Sequence, residues 1–125
     1  MTKHTLFVCR SCSFSLTDRK YLGQSGGLHL LNQLSAARQD CALQLNFMLQ
    51  GVECLSACNR PCSVAFAAPN KTTLMFGDLP PLQSAAAILK FGEQYYTSAN
   101  GLVPRKERPE LLQKGILARI PPLTQ

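Results

Sequence analysis

The sequence has no tryptophan, two histidines and seven acidic residues in 125, and these shortages remove several kinds of chemistry. Thinly spread carboxylates offer no pair placed for general acid–base hydrolysis. His4 and His29 stand far apart, so the paired histidines that some iron centres use are missing, and each reads as a structural residue. No phosphate-cradling glycine loop, dinucleotide fingerprint or nucleophile triad is present. No apolar run approaches the length of a membrane span, and Thr5-Leu6-Phe7-Val8 is far shorter than the hydrophobic region of a secretory signal. The expectation is a cytoplasmic protein with no membrane partner and no enzymatic turnover.

What the sequence does have is cysteine, six in all. A chain of this length can bury a core without disulfides, and cytosolic thiols stay reduced, so the cysteines point to metal binding or redox chemistry. Cys9 and Cys12 form a close pair, Cys54, Cys58 and Cys62 a triplet, and Cys41 stands between them. The net charge of +6 comes partly from Arg105, Lys106, Arg108, Lys114 and Arg119. That basic tail reads as a solvated face in preference to a docking surface for an acidic partner, and nucleic acid is not the expected partner.

Thr5 to Cys9 is a β-branched and aromatic run, a buried strand that delivers Cys9 to its end. A polar, glycine-closed loop over 10–27 precedes Leu30, Leu31, Leu34 and Ala37 at helical spacing, which predicts a helix ending around Asp40. Leu43, Leu45, Phe47 and Leu49 then alternate with polar residues or methionine, a strand period. Strand, helix, strand implies a parallel pair joined by a right-handed crossover. Both strands of such a unit end at one sheet edge, so Cys9 and Cys54 are expected to emerge on the same side. Ser63 to Ala68 and Thr72 to Gly77 predict a hairpin turned at Pro69-Asn70-Lys71. Asp78 before Pro80 and Pro81 predicts a helix start, and Asn100-Gly101 its stop. The order is that of an α/β, thioredoxin-like fold: a mixed four-stranded sheet with flanking helices. Residues 1–101 form this cluster-binding domain, and 102–125 a C-terminal extension on or beside it. Ile116, Ala118 and Ile120 suit a short extended segment within the extension.

A two-iron, two-sulfur (2Fe-2S) cluster needs four converging thiolates. Cys9 and Cys12 supply one pair and Cys54 and Cys58 the other, as cofactor-binding and metal-ligating residues, with Arg10 and Arg60 beside them. Cys41 reads as a small buried side chain. Cys62, at the start of a strand, is read as core, with a ligand role as the alternative. Zinc, as a structural four-cysteine site or as cargo for delivery, is a second reading. A thioredoxin-type dithiol at Cys9-Arg10-Ser11-Cys12 is a third, with Pro61 facing it, although it leaves Cys54 and Cys58 without a role.

The segment Cys54-Leu55-Ser56-Ala57-Cys58, followed by a proline-containing loop and a hairpin, resembles the second ligand pair of the thioredoxin-like two-iron ferredoxins. It is similar too to the small thioredoxin-like subunit of respiratory complex I and related hydrogenases. The resemblance implies electron transfer or redox and iron sensing, an unidentified redox partner protein, and pairing as a homodimer. It carries over most directly to Cys9, Cys54 and Cys58. The tight Cys9–Cys12 spacing and the additional Cys62 depart from those proteins and leave Cys62 as an alternate to Cys12. Nearly the whole chain also resembles a bacterial, largely cyanobacterial, family of predicted metal-binding proteins of unassigned function. The marks are the early Cys-x-x-Cys, the run from Cys54 to Cys62, Phe76-Gly77-Asp78-Leu79 and Ile120-Pro121-Pro122.

Overall fold

The structure, a computed structural model, describes residues 4–12, 17–18, 20–37, 47–53, 62–113 and 115–122. The elements in chain order are β1 (His4–Cys9), a small hairpin β2 (Lys20–Tyr21) and β3 (Gln24–Ser25), α1 (Gly26–Ala37), β4 (Phe47–Val52), β5 (Cys62–Ala67), β6 (Thr73–Leu79), α2 (Ala85–Thr97) and β7 (Ile116–Ile120). Single 3-10 turns lie at Arg105–Glu107 and Glu110–Leu112. The fold is mixed α/β. One five-stranded sheet has the order β4-β1-β5-β6-β7, with β1 and β4 parallel and every other neighbouring pair antiparallel.

Strand alternation decides which side of the sheet is packed. Leu6 and Val8 of β1, Val64 and Phe66 of β5, and Leu74 and Phe76 of β6 join Leu30 and Leu34 of α1 and Ile88, Phe91 and Tyr95 of α2 in one buried cluster. Both helices therefore lie on the same face. Phe91 sits edge-on to Phe66 and Phe76, with centroids 4.9 and 5.1 Å away, each contact contributing about 1 kcal/mol beyond area burial. The Tyr95 hydroxyl donates to the Thr72 carbonyl at 2.8 Å. The Lys71 ammonium donates to the carbonyls of Tyr95 and Tyr96 at 2.8 and 2.9 Å, closing the last turn of α2, and to His4 Nε2 at 2.8 Å. Burial, then the charge of Lys71, lowers the His4 pKa, so the ring is neutral and can accept.

Several expectations change. Among the described residues the sheet has five strands, not four. Gly115, at φ +86°, turns the chain so that Ile116 to Ile120 lies along β6, and the Gly77 N–H donates to the Gly115 carbonyl at 2.9 Å. Asp78 is not a helix cap. It lies within β6 at φ +60°, Leu79 extends that strand opposite Cys62, and a turn at 81–83 separates it from α2, whose cap is Ser84. The Ser84 hydroxyl donates to the Pro80 carbonyl at 2.7 Å. Strand β4 runs on to Val52, while the 38–46 part of the predicted helix end and strand lies outside the described residues.

Candidate metal centre

Parallel pairing of β1 with β4 sets Cys9 opposite Val52, so both strands end at one edge. The Arg10 N–H donates to the Val52 carbonyl at 2.9 Å, carrying the pairing one residue further. Strand β5 runs antiparallel to β1 and so begins at this same edge. The connection from Glu53 to Cys62 therefore starts and finishes beside Cys9. After Cys9 the chain turns at Arg10 and Ser11, and the Gly27 N–H donates to the Cys12 carbonyl at 3.2 Å, which ties this turn to the start of α1. Only glycine fits at 27: a β-carbon there would stand 1.9 Å from the Cys9 carbonyl oxygen.

Cys9, Cys12 and Cys62 are each fully buried. Cys12 Sγ lies 3.0 Å from Ser63 Oγ, and Cys9 Sγ lies 3.6 Å from Ser11 Oγ. Ser11 in turn donates to the Glu53 carbonyl at 2.7 Å, linking the thiol turn to the end of β4. Burial is the main cause raising the Cys12 pKa; the neighbouring Cys9 raises it further and the Ser63 hydrogen bond opposes the shift. Cys62 is pushed up to about 12 by burial, then by the nearness of Cys12 and Cys9. As thiols Cys12 and Cys62 keep their protons at neutral pH, and a thiolate in this setting calls for a cation to balance it. Arg10 pairs with Glu53 at 3.5 Å in an exposed position, where such a pair contributes little.

The expected site residues thus divide. Cys9 and Cys12 come together at the sheet edge, Cys62 lies near both, and Cys54 and Cys58, with Cys41, Arg60 and Pro61, lie outside the described residues. Among the described residues no group of three or more His, Cys, Asp or Glu side chains could hold a metal ion, so a four-thiolate centre depends on Cys54 and Cys58. The described half suits one in its chemistry: two buried soft donors, each with a serine hydroxyl within hydrogen-bond reach of its sulfur. Ser63 and Gly27 are the residues that sequence reasoning missed. Their only signals were a hydroxyl next to Cys62 and a glycine at a helix start.

A model for a protein family of unknown function, DUF1636, matches residues 6–122. The chain belongs to the DUF1636 family. The match takes in Cys9, Cys12, all five strands of the main sheet except the first two residues of β1, and both helices. No curated protein and no solved structure matches this DUF1636 chain. Among the described residues no helix is long and apolar enough to cross a membrane.

Proposed function

We propose that this protein is a thioredoxin-like 2Fe-2S protein that acts as a one-electron carrier or as a redox or iron sensor. Cys9, Cys12, Cys54 and Cys58 are the ligands in this reading, with Cys62 as the alternate to Cys12. The observation that carries it is the meeting of two buried thiols, Cys9 and Cys12, with the edge at which β4 hands the chain to the segment bearing Cys54 and Cys58. The order β4-β1-β5-β6, with one parallel pair and both helices on one face, supports the thioredoxin-like description. Strand β7 is then an addition at the far edge.

A cluster held there would supply reversible one-electron chemistry. The chain's own residues do the rest. Burial of Cys9 and Cys12 keeps water from the sulfurs, the Ser63 hydroxyl sits within hydrogen-bond reach of Cys12 Sγ, and such contacts to sulfur tune stability and potential. The Gly27 and Ser11 contacts fix the turn between the two thiols. Full burial also weighs against the dithiol reading, because a partner disulfide must be able to reach the attacking sulfur.

Anaerobic purification tests the proposal. The expected result is a brown protein with about two irons and two sulfides per chain, silent in electron paramagnetic resonance as isolated and paramagnetic after dithionite. A colourless protein that holds zinc, or no metal, overturns it.

A further inference from the structure

At the opposite edge of the sheet, three arginines have no part in the thiol site. Arg108 follows the 3-10 turn Arg105–Glu107 and is only 6% exposed, yet its Nε is buried with no hydrogen-bond partner. Gln94 Oε1 is buried and unpartnered as well, while the Gln94 amide nitrogen donates to the carbonyl of Glu107, which sets that side chain beside Arg108. The charges of Arg119 on β7 and of Arg105 both act on the Arg108 guanidinium, adding to the cost of its burial. Arg105 and Arg119 are exposed. None of the three forms an ion pair with a described carboxylate; Glu107 and Glu110 lie close in sequence but are exposed and do not pair with them.

A buried guanidinium among like charges with no anion is costly. An arrangement of one buried fork and two exposed ones is suited to an oxyanion that brings its own negative charge. A phosphate group carries up to two charges and several acceptor oxygens, and arginine binds it through paired N–H groups. We infer that Arg105, Arg108 and Arg119 form a binding site for a phosphate-class oxyanion, with Arg108 as its floor and the other two as its rim. This site is independent of the thiol centre and of its metal.

The test is calorimetric titration of the full chain with inorganic phosphate, sodium chloride holding ionic strength constant so that screening does not pass for binding. Saturable binding of one phosphate per chain is expected, weakened at least about tenfold by Arg105→Gln and by Arg119→Gln. Both positions are exposed, so these variants keep the fold. The Arg108 Nε–H resonance in a proton–nitrogen correlation spectrum should also move as phosphate is added. Glycerol phosphate, titrated in parallel, assigns the site to a phosphate ester if it binds more tightly and to the free ion if it binds more weakly. Heats equal to those of chloride, binding unchanged in both variants, or an unmoved Arg108 resonance would overturn the inference.

Discussion

Replacing Gly27 with alanine should damage the chain where α1 and the thiol-bearing end of β1 meet backbone to backbone. The new β-carbon would lie 1.9 Å from the Cys9 carbonyl oxygen and 2.8 and 2.9 Å from the carbonyl carbon and Cα of Arg10. A carbon ordinarily rests about 3.3 Å or more from a carbonyl oxygen, so the helix must withdraw by over ~1 Å. Overpacking against side chains costs about 1–3 kcal/mol, occasionally more. Here the obstacle is main chain, which puts the cost at the upper end or above it, and the better helix propensity of alanine returns up to about 1 kcal/mol. The net loss is about 2–3 kcal/mol. Gly23→Ala is the control, because Gly23 has φ +81° and nothing within 4 Å of the new carbon, leaving only the left-handed backbone cost of about 1 kcal/mol. In urea unfolding, a slope of about 1.5 kcal/mol/M converts these losses into midpoint shifts of about 1.3–2 M and about 0.7 M. Iron content should fall with Gly27→Ala and hold with Gly23→Ala. A Gly27→Ala midpoint within about 0.5 M of the parent would refute the packing of α1 on the Cys9 carbonyl.

Two other changes probe the surroundings of the core and of the thiols. Ser63→Ala removes the buried hydroxyl 3.0 Å from Cys12 Sγ and should cost about 1 kcal/mol in chemical denaturation of the metal-free protein; an unchanged midpoint would mean that the contact is not made. His4 has a folded-state pKa below its ordinary value of 6.5, from burial and then from Lys71, so below about pH 6.5 the unfolded chain binds the extra proton. Its contribution is present above that pH and is lost as pH falls toward the folded pKa. Thermal melts between pH 7 and pH 5 should therefore decline less steeply for His4→Gln, which keeps an acceptor for Lys71 but does not titrate, and parallel curves would exclude this role.

The strands that meet the core were legible because their side chains declare it. Thr5 to Cys9, Ser63 to Ala67 and Thr73 to Gly77 carry aromatic and β-branched residues at the right period, and the leucines of α1 fall one turn apart. β7 was harder to read, since Ile116 to Ile120 becomes a strand only when β6 offers it an edge, and such non-local pairing overrides local propensity. Asp78 misled because an acidic residue before two prolines is a common helix entry, whereas Leu79 finds a partner in Cys62 and keeps the strand going. At the thiol site, Cys9 and Cys12 announced themselves by spacing, while Ser63 reaches Cys12 across 51 positions. Arg108 was hidden among five basic residues that resembled a solvated face, and the 3-10 turns are what place it inside.

Strand parity bears on the choice between Cys12 and Cys62. Along β1 the residues under the helices are Leu6 and Val8, which turns Thr5, Phe7 and Cys9 toward the other side. Along β5, Val64 and Phe66 go to the helix side and Cys62 with them, all three members of the apolar cluster that excludes Cys9 and Cys12. Ser63 points the opposite way, and it is Ser63 that meets the Cys12 sulfur. A centre built on Cys9 needs its second sulfur on the same side of the sheet, and Cys12 is the thiol so placed. Cys62 is held in the core by its strand, near the site but facing the helices. Cys12→Ser should therefore abolish iron binding, whereas Cys62→Ser should retain it and instead cost about 1–3 kcal/mol of stability by burying a hydroxyl among apolar neighbours. Iron lost from Cys62→Ser but kept in Cys12→Ser would move the ligand to β5 and require that strand to twist its first residue across the sheet, at the irregular register between Cys62 and Val64.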